Sequence, residues 1–139
     1  MVDYGVEKEA SGLKVGVILV QEFEEFAAAH CAKLLNDLTE RGCQTQNIVM
    51  RPVPTIHDTV LATHFFAEYT DVDGVMIIAP ENQMNSMISV MNGIYQLQIQ
   101  WNMVVTIGSS DKLDALLEMI MLQSEMEMNA PKNVQRSFS

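Results

Sequence analysis

His57 and His64 lie seven residues apart on what reads as one helix. They can share a face, as two imidazoles that begin a metal site would. No third ligand type stands near them, so no metal site is expected. Cys31 and Cys43 are twelve apart, without a CxxC pair or a Cys/His cluster. That spacing suits neither zinc nor a redox motif and points to reduced thiols in a cytoplasmic chain. GxGxxG, GxxxxGK[ST] and GxSxG do not occur, so phosphate-cradling loops and a nucleophile elbow are not expected. No residue is assigned a catalytic role.

Two short segments remain with binding chemistry. Gln21-Glu22-Phe23-Glu24-Glu25 puts an aromatic ring among carboxylates after an apolar run. Such a ring can stack on a planar ligand or pack against its own helix. Val53-Pro54-Thr55-Ile56-His57-Asp58 runs from an apolar stretch into a helix start. Unpaired N–H groups at a helix start can meet a ligand carbonyl or hydroxyl. Asp58 there is either a ligand contact or a simple helix cap.

The elements that position these segments follow from periodicity. Residues 13–20, 47–53, 74–79 and 103–107 are short β-branched or apolar runs and predict strands. Prolines 52 and 54 should end the second. Residues 22–41 predict a helix with Phe26, Ala29, Ala32, Leu34 and Leu38 recurring on it, acids in its first turn, and Gly42 as its stop. A second helix starts at Thr55 or Asp58 and runs to about Tyr69. Met84, Met87, Ile88, Met91, Ile94, Tyr95 and Gln98 follow helical spacing as a third. Ser109-Ser110-Asp111 caps a fourth, with Leu113, Leu116, Leu117 and Ile120 on one face.

Wholly apolar strands alternating with helices mean a parallel sheet covered on both faces. The expected fold is α/β, a three-layer α/β/α sandwich with a flavodoxin-like four-stranded parallel sheet. Residues 13–129 form the domain, with tails at 1–12 and 130–139. Ligands in such sheets bind at the strands' carboxyl ends. Residues 21–25, 53–58, 79–85 and 108–111 therefore carry the functional question. A phosphoacceptor receiver is excluded, because the third strand closes on Ala79-Pro80 where it would need an aspartate.

The chain has 139 residues, is 48% apolar and has a mean hydropathy of +0.09, enough for one folded domain. No apolar run approaches the ~18 residues of a membrane span. The first residues are acidic, so no secretory leader is expected. Eighteen acids against eight Lys and Arg give a net charge of −10, which disfavours nucleic acid and anionic membranes as partners. No Lys or Arg occurs from 52 to 111. Methionine is abundant, at 11 residues, and suits irregular cores or adaptable contact surfaces.

With strand, turn and helix in this order, the chain resembles lumazine synthase, the penultimate enzyme of riboflavin biosynthesis. Phe23-Glu24-Glu25-Phe26, Val53-Pro54 followed by Leu61-Ala62, Gly93-Ile94-x-Gln96, Val104-Val105-x-x-Gly108 and Ser110-Asp111 carry the resemblance. It spans about 13–127. It implies that Phe23 and Glu24 face a pyrimidine or lumazine ring. Ile56 and His57 would line the ring and ribityl chain, and Asp58 would stand for the glutamate that holds ribityl hydroxyls.

The chain departs from the family where phosphate and proton transfer are handled. The family's basic, histidine-bearing loop after the third strand is replaced by Ala79-Pro80-Glu81-Asn82-Gln83-Met84-Asn85. The family's cations in the last helix fall on Met119 and Gln123, leaving Lys132 or Arg136 as substitutes from the tail.

The resemblance thus implies a homo-oligomer, a pentamer or larger shell, that has lost catalysis: a pseudoenzyme with possible residual flavin or lumazine binding and no resident cofactor. Met84, Met87 and Met91, with Met119, Met121, Met126 and Met128, are candidate contact surface or ordinary core. One alternative is an active synthase with a divergent site, using His57 or His64 as its base. Another is an unrelated flavodoxin-like interaction module.

Overall fold

A computed structural model describes residues 9–129. Four strands, β1 (Val15–Val20), β2 (Ile48–Val53), β3 (Gly74–Ile78) and β4 (Val104–Gly108), form one parallel sheet in the order β2-β1-β3-β4. Five helices follow the same chain: α1 (Glu24–Glu40), α2 (Asp58–Tyr69), α3 (Glu81–Asn85), α4 (Ile88–Trp101) and α5 (Leu113–Asn129). The α/β three-layer reading of the sequence holds.

Period-2 alternation sends each strand's side chains to two separate cores. Ile18, Val20, Val75 and Ile77 meet Phe66 of α2 and Met91 and Ile94 of α4. Val15, Val17, Met76 and Ile78 meet Leu34 and Leu38 of α1 and Leu113, Leu116 and Leu117 of α5. The central strands are apolar throughout because both faces are covered. Burying each such side chain contributes roughly 1.5–3 kcal/mol, so this double burial dominates the stability. Ala10, placed by sequence in the leading tail, is fully buried in the second core, and its N–H donates to Arg41 O.

Several sequence expectations are corrected. Pro52 lies inside β2 and does not end it. It is tolerated because β2 is an edge strand, where a missing N–H breaks no ladder bond. The expected single helix over the methionine stripe is two helices, α3 and α4, separated at Ser86 and Met87. Ser86 Oγ donates to Gln83 O, a local bond that competes with helix continuation. Across the break Met84, Val90, Met91, Ile94 and Leu97 are buried, while Ile88 and Tyr95 face solvent. On α1, Ala27, Leu34 and Leu38 are buried and Ala29 and Ala32 are exposed.

Gly42 does stop α1, at φ +96, a left-handed conformation that favours glycine. Asn102 performs the same service for α4 at φ 52. The expected tail at 130–139 lies outside the described residues, as do residues 1–8.

Gly16 fixes how closely α2 approaches the sheet. A Cβ at Gly16 would sit 2.8 Å from the Phe66 ring. Gly16→Ala is expected to lower stability by about 1–3 kcal/mol through overpacking. Urea unfolding measures it, and Phe66→Leu added to Gly16→Ala should restore part of the loss.

Candidate functional site

Each strand of a parallel sheet delivers its following loop to the same edge, where such folds bind ligands. The first two loops are tied together by Glu22, in the 3₁₀ turn Gln21–Phe23. Its N–H donates to Pro54 O at 3.1 Å, and its Oε1 accepts from Ile56 N–H at 2.7 Å. One carboxylate thereby uses the donor that a helix start would otherwise offer a ligand. Sequence reading placed Glu22 only among the first-turn acids. Its partner lies 34 residues away, and nothing local signals it.

Asp58 opens α2 and completes a local box. Its Oδ2 accepts from Thr55 N–H and from Thr55 Oγ1, both at 2.9 Å. The Asp58 N–H in turn donates to Thr55 O at 3.1 Å, so the pair closes the turn that leads into α2. Ile56 is buried with the first core, while His57 is exposed. Phe23 is half-buried and packs against that same core. Glu24 is exposed on the first turn of α1. The fold therefore brings Phe23 into the same core as Ile56, while Glu24 lines a separate groove with Leu19, Gln21 and Pro52.

The third and fourth loops meet as well. Ala79 N–H donates to Gly108 O at 3.2 Å. Lys112 Nζ stands 3.3 Å from Glu81 Oε1. A Cβ on Gly108, itself at φ +141, would lie 3.1 Å from Lys112 Cε, so the lysine stem crosses directly over this glycine. Sequence reading found no cation through 111. The fold returns Lys112 to the end of β3, and Glu81 cancels its charge there. This half-exposed pair contributes under about 1 kcal/mol; its effect at the site is on charge.

A histidine that sequence reading left without a role, His30, lies at the same end. Ser110 Oγ is 3.1 Å from its Nδ1, and Ser110 N–H donates to that nitrogen at 3.4 Å. A backbone N–H only donates, so Nδ1 accepts and the ring proton sits on Nε2. The Phe26 ring packs 4.5 Å away. Ser110 is 1% exposed, which keeps its hydroxyl from substrate. The pair pins α1 to the β4–α5 turn.

Other candidates are equally engaged. His64 Nε2 is 2.6 Å from Glu68 Oε1, and its ring meets Trp101 edge-on. Burial pushes the Cys31 and Cys43 thiols up, away from the reactive thiolate. Cys31 Sγ contacts Met50 Sδ at 3.7 Å. The hydrogen bond and charge of Asp37 raise Lys33 above the usual lysine value. Among the described residues no group of three or more His, Cys, Asp or Glu is placed to hold a metal. Lys132 and Arg136 lie outside them. No helix among them is long and apolar enough to cross a membrane.

Apolar grooves flank both edge strands. One of about 640 Å³ runs between β2 and α2, past Arg51, Pro52, Asp58, Leu61, Phe65 and Tyr69. Another of about 610 Å³ runs along β4 between α4 and α5, past Ile99, Thr106, Met119, Leu122 and Met126.

Replacing Asp58 with Ala should cost about 1 kcal/mol of stability by urea unfolding, because its carboxylate holds the Thr55 turn that leads into α2. Thr55→Ala should cost a similar amount, and the double variant less than the sum, because the two residues share one interaction. Full additivity would show that they act separately. No known protein-family model matches this chain, and no curated protein matches it.

Proposed function

We propose that this chain is an assembly-forming, non-catalytic protein of lumazine-synthase-like type. The observation that carries the proposal is the surface of its helices. Leu61, Phe65 and Tyr69 on α2, Ile88, Tyr95 and Ile99 on α4, and Met119, Leu122 and Met126 on α5 are all exposed. Ile99 is 79% exposed and Met126 65%. Large apolar side chains gathered on the faces of three helices mark contact surfaces. From 82 to 110 the sequence has no charged residue, so α4 brings no like charges together when copies of a −10 chain meet.

The strand ends support the loss of catalysis. Proton transfer needs an acid or base within hydrogen-bond reach of the reacting group. At the end of β3 the ionisable groups are Glu81 and Lys112, which pair with each other. A phosphate placed there meets a carboxylate along with the ammonium. Of the ring-facing positions implied by the resemblance, Phe23, Glu24, Ile56, His57 and Asp58, Phe23 packs against the core that holds Ile56. The Asp58 carboxylate and the Ile56 N–H are committed to the Thr55 and Glu22 contacts. Any flavin or lumazine binding would rest mainly on Phe23.

Light scattering should give a mass several times 15.6 kDa, five times for a pentamer. A strict monomer across micromolar concentrations would overturn the assembly. Incubation with the pyrimidine diamine and the butanone phosphate should give no lumazine absorbance, and turnover above background would sink the pseudoenzyme reading. Where a flavin titration shows binding, Phe23→Ala should abolish it.

A further inference from the structure

The groove along β4 has tied walls and one sign of charge. Gln123 Nε2 of α5 donates to Asn102 O at the end of α4, at 2.5 Å, so the two helices are joined across it. Gln98 accepts from Val105 N–H through Oε1 and from Met103 N–H through its carbonyl, each at 3.2 Å. A further strand would therefore lack two of its donors, and contact there falls to side chains. Ile99, Met119, Leu122 and Met126 give an apolar lining. α4 carries no charged residue, and α5 carries acids without any Lys or Arg. The cations at the start of α5, Lys112 and Arg41, are taken by Glu81 and Asp114. Glu118 and Glu125 stand four residues before and three after Leu122, so they rim the face that it presents. Both are exposed, and neither has an ion-pair partner among the described residues.

The sequence that continues from Asn129 has the complementary character. Residues 130–139 carry Lys132 and Arg136 and no acid. Lys132, Val134, Arg136 and Phe138 alternate with Asn133, Gln135 and Ser137. In an extended run, a period of two puts the cations and apolar groups on one face and the neutral polar groups on the other. Pro131 cannot continue the helix and suits a reversal of direction. The spacing matches as well. Glu125 and Glu118 are about 10 Å apart along a helix, and Lys132 and Arg136 about 13 Å apart along an extended chain.

We propose that residues 131–138 turn back along α5 and seat Val134 and Phe138 in the trough of their own chain, with Lys132 facing Glu125 and Arg136 facing Glu118. Continuity from Asn129 holds the segment beside this trough at high effective concentration, which favours it over a neighbour's. The β4 edge is then filled from within, and contact between copies falls to the apolar faces of α2 and α4. The inference stands without the assembly reading.

Methionine oxidation by peroxide reads the cover. Met119 and Met121 are 47% and 49% exposed, and Met126 and Met128 are 65% and 80% exposed. Of these four, Met119 and Met126 line the trough. Left uncovered, the members of each pair react at similar rates. In the full chain, Met119 and Met126 should instead oxidise severalfold more slowly than Met121 and Met128, followed site by site by mass spectrometry. Equal rates within each pair overturn the proposal. Val134→Ser with Phe138→Ser should raise Met119 and Met126 to the rates of their neighbours, with Met121 and Met128 unchanged as a check on the fold. Protection that survives in this variant means that a second copy or a separate segment fills the trough, and overturns 131–138 as its occupant. Protection that holds through serial dilution supports seating within one chain, whereas protection lost on dilution assigns the segment to a neighbour's trough and overturns it. Light scattering on the same samples reports assembly separately, so either reading can fail without the other.

Discussion

Burial of β1 and β3 on both faces is the constraint from which the other features follow. A parallel sheet has no polar side to give to water, so helices must cover both faces. Ile18 and Ile77 point to one layer, Val17 and Met76 to the other, and neither layer can be removed without exposing a whole core. Gly16 lets the Phe66 ring press against β1, which sets the distance of α2. Parallel strands also send all their following loops to one end. The gathering of Glu22, Asp58, Glu81 and Ser110 there is a consequence of the sheet and owes nothing to their spacing in sequence.

At that end the polar groups hold one another. Glu22 clasps the second loop, Asp58 holds the Thr55 turn before its own helix, Lys112 meets Glu81, and Ser110 meets His30. A site that grips a phosphate needs unpaired donors and net positive charge. A set of mutually satisfied groups gives rigidity instead. The chain's unsatisfied capacity lies elsewhere, in apolar helix faces along the two sheet edges, where Arg51 and Gln98 occupy backbone groups that another strand would use.

The methionines show where legibility stopped. Their number promised either core or contact surface, and the fold divides them. Met84 and Met91 are buried, whereas Met119, Met126 and Met128 are exposed. Helical spacing ran continuously from Met84 to Gln98, but the chain breaks at Ser86 and Met87. Two helices then share what looked like a single stripe, and both turn it into the same core. Asn102 likewise ends α4 in a left-handed turn that composition did not announce.

Strand and helix types, the three layers, Gly42 as a stop and Asp58 at the start of α2 were all readable from the sequence. Each is a local property, set by side-chain period or by groups within a few residues of one another. The strand order was not readable, nor was the Glu22 clasp across 34 residues, the His30–Ser110 contact across 80, or the return of Lys112 to the end of β3. Each of these is a meeting between groups far apart in the chain. Periodicity says which face of an element is apolar, but only packing of the layers decides which distant donor reaches which acceptor, and which apolar faces stay exposed.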